Sequence, residues 1–250
     1  SPAPISRLTP SRMVSGPSGL LTCLPRFSVR NTMRSEVRSC IAKLFVLVLV
    51  AGWQPAHAAD AARTLLVLGD SLSAGFGLEP GQGWVKLLQD RLESKGYGYR
   101  VVNASISGDT TTGGLGRLPR ALKVHGPSIV VIELGGNDGL RGTPVTVVRE
   151  NLTKMIRLAR ESGARVVLAG IQMPPNYGTR YTQEFAAVYP ALAKSEKVAL
   201  IDFILDGVAL ERSLMQDDGI HPNAAGQPRI LDNAWPAIER ELRALPGAGH

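Results

Sequence analysis

Cysteine is nearly absent: of 250 residues only Cys23 and Cys40 carry a thiol, and both lie before residue 59. Residues 59–250 therefore hold neither a disulfide framework nor a thiol nucleophile. Stability there has to come from packing, and any nucleophile is an oxygen or a nitrogen. An apolar run able to span a bilayer is missing too: Leu44 to Gly52 (LFVLVLVAG) is far shorter than the about 20 residues a spanning helix needs. An excess of charge is the third absence. The chain carries a formal +7, which would suggest an anionic partner such as nucleic acid or a membrane surface. Arg7, Arg12, Arg26, Arg30, Arg34, Arg38 and Lys43 stand against Glu36 alone in residues 1–58, whereas residues 59–250 hold 21 basic and 20 acidic side chains. The basicity belongs to the first segment, and a nucleic-acid partner is excluded.

What is present divides the chain. From Met33 the sequence runs through Arg34, Arg38 and Lys43 into the apolar stretch and ends in Ala56-His57-Ala58. That is the three-part pattern of a secretory signal peptide, here residues 33–58, with cleavage expected after Ala58 and a periplasmic or secreted product. Cys40 precedes the apolar run and is not placed for lipidation, so no stable membrane anchor is implied. Residues 1–32 contain no acidic residue and are rich in Ser, Pro and Arg; they are expected to be upstream or disordered, outside the fold. Apolar residues at 44% and charged residues at 20% suit one globular domain over 59–250.

Within that domain, short β-branched runs alternate with longer stretches of helical period, which argues for an α/β layered fold with a mainly parallel sheet. Five strands are expected: Thr64–Gly69, Arg100–Asn103, Ser128–Leu134, Ala164–Gly170 and Ala199–Phe203. Their near-continuous apolar character suits strands covered on both faces. Helices are expected over Trp84–Lys95, Gly116–His125, Pro144–Ser162 and Tyr181–Ser195, and from about Ala224 or Ile230 to Leu245, where Pro228 leaves the first turn open.

In an open α/β sheet, ligands collect outside the carboxyl ends of the strands. Four polar, glycine-rich loops fall there: Gly69-Asp70-Ser71-Leu72, Ser105–Asp109, Gly135-Gly136-Asn137-Asp138-Gly139, and Asp217–Asn223 with Asp218 and His221. Acyl transfer by a serine needs a nucleophile, a base, a group that orients the base, and donors for the oxyanion. Ser71, His221 and Asp218 are the candidates for the first three. The backbone N–H groups of Ser71 and Gly108 and the amide of Asn137 are the candidate donors. Each signal alone also describes an ordinary turn or cap; their weight lies in the combination.

Other chemistries are open to some of the same residues. Asp70, Asn137, Asp138, Asp218 and His221 can be imagined as a metal-dependent phosphoesterase cluster, but only one of four histidines lies among these loops. Gly113-Gly114-Leu115-Gly116 lacks the order of a phosphate-binding loop and is expected to start a helix. A non-catalytic periplasmic lipid or acyl carrier would use the loops for binding alone and leave Ser71 dispensable.

The set Gly69-Asp70-Ser71-Leu72, Gly108, Gly135-Gly136-Asn137-Asp138 and Asp218-x-x-His221 resembles the four blocks of the SGNH (GDSL-type) hydrolases, over nearly the whole of residues 59–250. Gly135–Gly142, Asn176-Tyr177-Gly178 with Arg180-Tyr181, and Met215–Asn223 are similar to its bacterial periplasmic arylesterase, acyl-CoA thioesterase I and lysophospholipase subgroup. The resemblance implies a flavodoxin-like three-layer α/β/α sandwich with a five-stranded sheet. It implies hydrolysis of a small-molecule acyl ester or thioester by a monomer without cofactor or metal. It assigns Ser71, Asp218 and His221 as the triad and Ser71, Gly108 and Asn137 as the oxyanion hole. It also implies a mobile gating segment over Gly139–Pro144, with Leu140 exposed; an ordinary strand-to-helix loop fits the same residues equally well. Met173, Pro174, Tyr177 and Tyr181 are equally candidates for an acyl pocket and for core.

Overall fold

Runs of Leu, Val and Ile without polar alternation have to be covered on both faces, and here they build the sheet. In the computed structural model, which describes residues 63–245, its strands are β1 (Arg63–Gly69), β2 (Tyr99–Asn103), β3 (Ile129–Glu133), β4 (Arg165–Ala169) and β5 (Ala199–Ile201). All pair in parallel, in the order β2-β1-β3-β4-β5. Every residue of β3 is buried, whereas edge strand β2 is fully buried only at Tyr99. The expected leader and the segment before it lie outside the described residues.

Among the described residues seven α-helices complete the layers: α1 (Ser71–Ala74), α2 (Trp84–Ser94), α3 (Thr111–His125), α4 (Gly136–Leu140), α5 (Val145–Glu161), α6 (Thr179–Glu196) and α7 (Gln227–Arg243). Helices α3, α5 and α6 pack side by side, and α2 packs with α7, which also covers β4 and β5. The apolar stripe of α2 buries Trp84, Val85, Leu88 and Leu92. This is the expected flavodoxin-like three-layer sandwich. Its core joins Leu65–Leu68 of β1 and Ile129–Ile132 of β3 to Trp84, Phe185 and Tyr189, all fully buried.

The differences from the sequence reading are local. Helix α3 starts at Thr111, five residues before Gly116, with Thr110 as its cap, whose hydroxyl accepts the Gly113 N–H (3.2 Å); the glycine-rich run thus starts a helix as expected, and a Cβ on Gly114 would overlap Leu134 Cδ1. Strand β5 ends at Ile201, short of Phe203, where the chain turns across Gly170; the Gly170 N–H donates to Ile201 O (2.8 Å) and the Ile204 N–H to Gly170 O (3.1 Å). Pro144 stands just before α5 and not inside it. Pro228 sits in the first turn of α7, where no N–H is required. Helices α1 and α4 stand where the sequence suggests loops, one residue beyond β1 and two beyond β3.

Candidate active site

The sheet order places the end of β1 between those of β2 and β3, the crevice where sheets of this topology bind ligands. Three of the four sequence loops leave these strands. Ser71 is the first residue of α1, half-buried, one step beyond its cap Asp70. Asp70 Oδ1 accepts the Leu72 N–H (3.0 Å), while the Ser71 N–H, at the first helical position, has no acceptor within the helix.

The fourth loop arrives from the other end of the chain. His221 Nε2 lies 2.9 Å from Ser71 Oγ, across 150 positions of sequence. Its Nδ1 lies 2.6 Å from Asp218 Oδ2. Asp218 Oδ1 accepts the backbone N–H groups of Ile220 (2.9 Å) and His221 (3.0 Å). Desolvation pushes the Asp218 carboxyl up, but the hydrogen bonds from the His221 ring and these two N–H groups outweigh it and hold its pKa at about 2. The carboxylate is thus ionised at any pH where a neutral imidazole can act as base. Gln216 braces the loop: its N–H donates to His221 O (2.8 Å), and its Nε2 donates to Phe76 O (2.8 Å) and Pro222 O (3.0 Å). The half-exposed Phe76 ring packs 4.6 Å from the imidazole, centroid to centroid. Gln227, buried at the start of α7, accepts the Trp84 N–H of α2 through Oε1 (3.0 Å).

Gly108 occupies an exposed turn closed by the Asp109 N–H donating to Ile106 O (3.1 Å). Its φ of 78° lies in the left-handed region, where glycine is favoured. Asn137, in the first turn of α4, donates through Nδ2 to Asp70 Oδ2 (3.1 Å) and to Asp109 O (2.9 Å). Both amide hydrogens therefore have partners, and donation to a third oxygen means sharing or releasing one of them. Its neighbour Asp138 is buried and accepts the Thr111 N–H and the Thr111 hydroxyl, each at 2.7 Å, which fastens α4 to the start of α3. The segment after Asn137 is tied down: Arg141 Nη2 donates to Gly108 O (3.1 Å), the Thr143 N–H to Asp138 O (2.9 Å) and Tyr181 Oη to Thr143 O (3.0 Å). Leu140, expected to be exposed, is half-buried against the core because Gly139 and Leu140 complete α4.

Two acids lie beside the serine: Asp70, which the sequence offers only as part of the first block and as an imagined metal ligand, and Glu133, which is not among its candidates. Glu133 ends β3 fully buried, and its Oε2 accepts from Ser73 Oγ (2.7 Å) and the Asp70 N–H (3.4 Å). Burial pushes its carboxyl well above the usual range, and the Asp70 carboxylate adds to the effect. Burial likewise raises Asp70 to about 6, against the hydrogen bond from Leu72. Folded Asp70 keeps its proton up to about pH 6, whereas an unfolded aspartate loses it near pH 4 (about 3.9). Between these values the native state binds more protons, so stability falls as pH rises, by up to about 3 kcal/mol for the two-unit separation. Asp70→Asn is expected to flatten that decline in thermal unfolding curves between pH 4 and 7. Parallel curves for the two proteins would refute the assignment.

The structure thus brings Ser71, His221 and Asp218 into one hydrogen-bonded chain and places Gly108 and Asn137 in the loops after the neighbouring strands. Of the imagined metal ligands, Asp138 is taken up by the two Thr111 donors, Asp70 by the Leu72 N–H and Asn137, and Asp218 by His221. Among the described residues no three His, Cys, Asp or Glu side chains are grouped to hold a metal. Met173 is core, with its thioether against Gly139, and Pro174 is exposed. Tyr177 and Tyr181 line a cavity of about 460 Å³ with Gly178, Thr179, Arg180 and Glu184. A Glu closing the apolar run Ser128–Leu134 was the one sequence signal for Glu133. No helix among the described residues is long and apolar enough to cross a membrane.

Residues 67–229 match the sequence model of the GDSL-like Lipase/Acylhydrolase family. The chain is 58% identical over 179 residues to Esterase TesA of Pseudomonas aeruginosa, covering 72% of this chain and 89% of the relative. It is 49% identical over 187 residues to Thioesterase 1/protease 1/lysophospholipase L1 of Escherichia coli K12, covering 75% and 86%. Among solved structures, psychrotrophic esterase EstA from Pseudoalteromonas sp., inhibited by monoethylphosphonate, superposes with a TM-score of 0.69 at 41% identity, covering 72% of this chain and 99% of that one.

Proposed function

Since the chain belongs to the GDSL-like lipase/acylhydrolase family, we propose that Ser71, His221 and Asp218 are the triad with which it works. The protein is a hydrolase of carboxylic esters and/or thioesters. The observation that carries the catalytic assignment is the continuous path from Ser71 Oγ through His221 Nε2 and Nδ1 to Asp218 Oδ2, at 2.9 and 2.6 Å. His221 takes the hydroxyl proton as Ser71 Oγ attacks the substrate carbonyl, and Asp218 stabilises the imidazolium that forms. The oxyanion receives the N–H groups of Ser71 and Gly108 and the amide of Asn137. His221 returns the proton to the departing alkoxide or thiolate. It then activates water, which releases the acid from Ser71.

Asn137 is the donor whose contribution a side-chain variant can read. Asn137→Ala is expected to lower kcat by about 10²–10³ with little change in KM, the effect of losing one oxyanion donor. Hydrolysis of p-nitrophenyl esters from acetate to palmitate by residues 59–250, with and without chelator, tests the reading as a whole. Chelator-resistant turnover supports it; loss of turnover reversed by added metal, or inactivity of folded protein on every ester, overturns it. The acyl chain is assigned to the cavity lined by Tyr177 and Tyr181, which adjoins the segment after Asn137 through the Tyr181–Thr143 hydrogen bond. The same reading takes residues 59–250 as a single hydrolase domain that acts as a monomer on small acyl substrates. It is exported by residues 33–58, cleaved near Ala58 and located in the periplasm or outside the cell.

A further inference from the structure

Arg117 takes no part in the chemistry above, yet its guanidinium ties together two of the segments that carry it. It stands in the second turn of α3, half-buried. Nε donates to Asp109 Oδ2 (2.6 Å), Nη2 to Gly69 O (3.0 Å) and Nη1 to Ala104 O. Gly69 is the last residue of β1, two before Ser71; Ala104 is the first after β2; Asp109 follows Gly108. The Asp109 carbonyl in turn accepts from Asn137 Nδ2 (2.9 Å). One planar group is therefore bonded on one side to the strand end that bears the serine, and on the other to the turn that bears Gly108 and meets Asn137.

We propose that Arg117 is a positioning residue that fixes the mutual spacing of the three oxyanion donors, an inference that rests on the roles given above to Ser71, Gly108 and Asn137. Donors stabilise a developing oxyanion in proportion to how well they are held in place before the reaction. The last register pair between β1 and β2 is Val67 with Asn103. Beyond it the backbone supplies only the Ala104 N–H to Val67 O (2.9 Å) and the Ile106 N–H to Gly69 O (3.1 Å), short of Gly108 itself. The guanidinium carries the connection on to Asp109. Three acceptors in three directions match the rigid fork of arginine; a lysine offers a single point charge on a flexible stem. The Arg117 and Asp109 side chains are only 22% and 12% exposed, so solvent and salt screen the pair weakly.

The test is kinetic, with Arg117→Ala and Arg117→Lys beside Ser71→Ala and a control on the same helix, the exposed Arg120→Ala. On p-nitrophenyl butyrate both Arg117 variants are expected to lose about 10- to 100-fold in kcat, the scale of an ångström-sized misplacement, with KM changed by less than about twofold. The rate of Ser71 labelling by a phosphonate ester falls in the same proportion, and Arg120→Ala stays at the wild-type rate. Arg117 also borders a surface cavity of about 260 Å³ with Arg120, Ala121, Val124 and His125. Guanidinium ion at sub-denaturing concentration is therefore expected to restore part of the kcat of Arg117→Ala, which a fold weakened for other reasons would not show. Wild-type kcat in Arg117→Lys, or a loss confined to KM, overturns the proposal, and Arg117→Lys carries the test if Arg117→Ala does not fold. Turnover that survives in Ser71→Ala instead brings down the triad reading. A dead Ser71→Ala beside fully active Arg117 variants brings down this inference alone.

Discussion

Ser71→Ala is expected to lower turnover of a short-chain p-nitrophenyl ester by about 10⁴- to 10⁶-fold, because binding and oxyanion stabilisation are all that remain of a triad without its nucleophile. Stability should hardly change. The substitution removes one oxygen from a half-buried position at the start of α1, and alanine is the best helix former. The backbone N–H stays in place, so KM should remain near the wild-type value. Steady-state kinetics with a thermal unfolding curve for each protein decides the matter. A folded variant that keeps a hundredth of the activity or more would remove Ser71 from the mechanism.

Asp218→Asn is expected to cost about 10²–10⁴ in kcat through the protonation state of a neighbour and not through shape. The asparagine carbonyl can still accept from the Ile220 and His221 N–H groups that Asp218 Oδ1 now receives. What changes is the partner of His221 Nδ1, which would then face an NH₂ donor where Asp218 Oδ2 is an acceptor. To accept that bond, Nδ1 gives up its hydrogen and the ring carries it on Nε2. Ser71 Oγ then faces a donor and has no base. The pH profile supplies an independent check. With Asp218 held at about 2, its protonation is too acidic to set the lower limb of the wild-type kcat profile; direct titration of the Asp218 carboxyl by NMR with a midpoint between pH 4 and 6 would contradict the assignment. The same low value makes the carboxylate stabilising above the unfolded aspartate value of about 3.9, a contribution lost as pH falls toward 2.

The sheet was legible because its strands are covered on both faces and so are written as uninterrupted apolar runs; all five expected strands occur, with ends displaced by a residue or two. The proposed triad was legible for a different reason. A serine, an imidazole and a carboxylate in glycine-rich turns after strands are chemically complete, and parallel topology sends those turns to one edge. Arg117 was not legible, since an arginine in a helix that also carries Arg120 and Lys123 is indistinguishable in sequence from a solvated one until Gly69, Ala104 and Asp109 are seen around it. Helix α4 was missed because Gly135-Gly136 reads as a turn; tertiary bonds such as that between Asp138 and Thr111 support the short helix, which the composition of GGNDGL does not favour. The raised acids Asp70 and Glu133 depend on burial at the end of β1 and β3, a property of packing that no local pattern encodes.

The link between Gln227 and the Trp84 N–H joins the first turn of α2 to the helix that follows the His221 loop. In a chain made from its amino end, β1, Ser71 and most of the sheet emerge first, while the imidazole arrives 150 positions later and is braced against structure already in place. A product truncated by early termination or clipped by a protease before residue 218 carries the proposed nucleophile without its base. The turnover of a heterogeneous preparation therefore counts the molecules that extend through His221, and shorter fragments that retain the serine are silent.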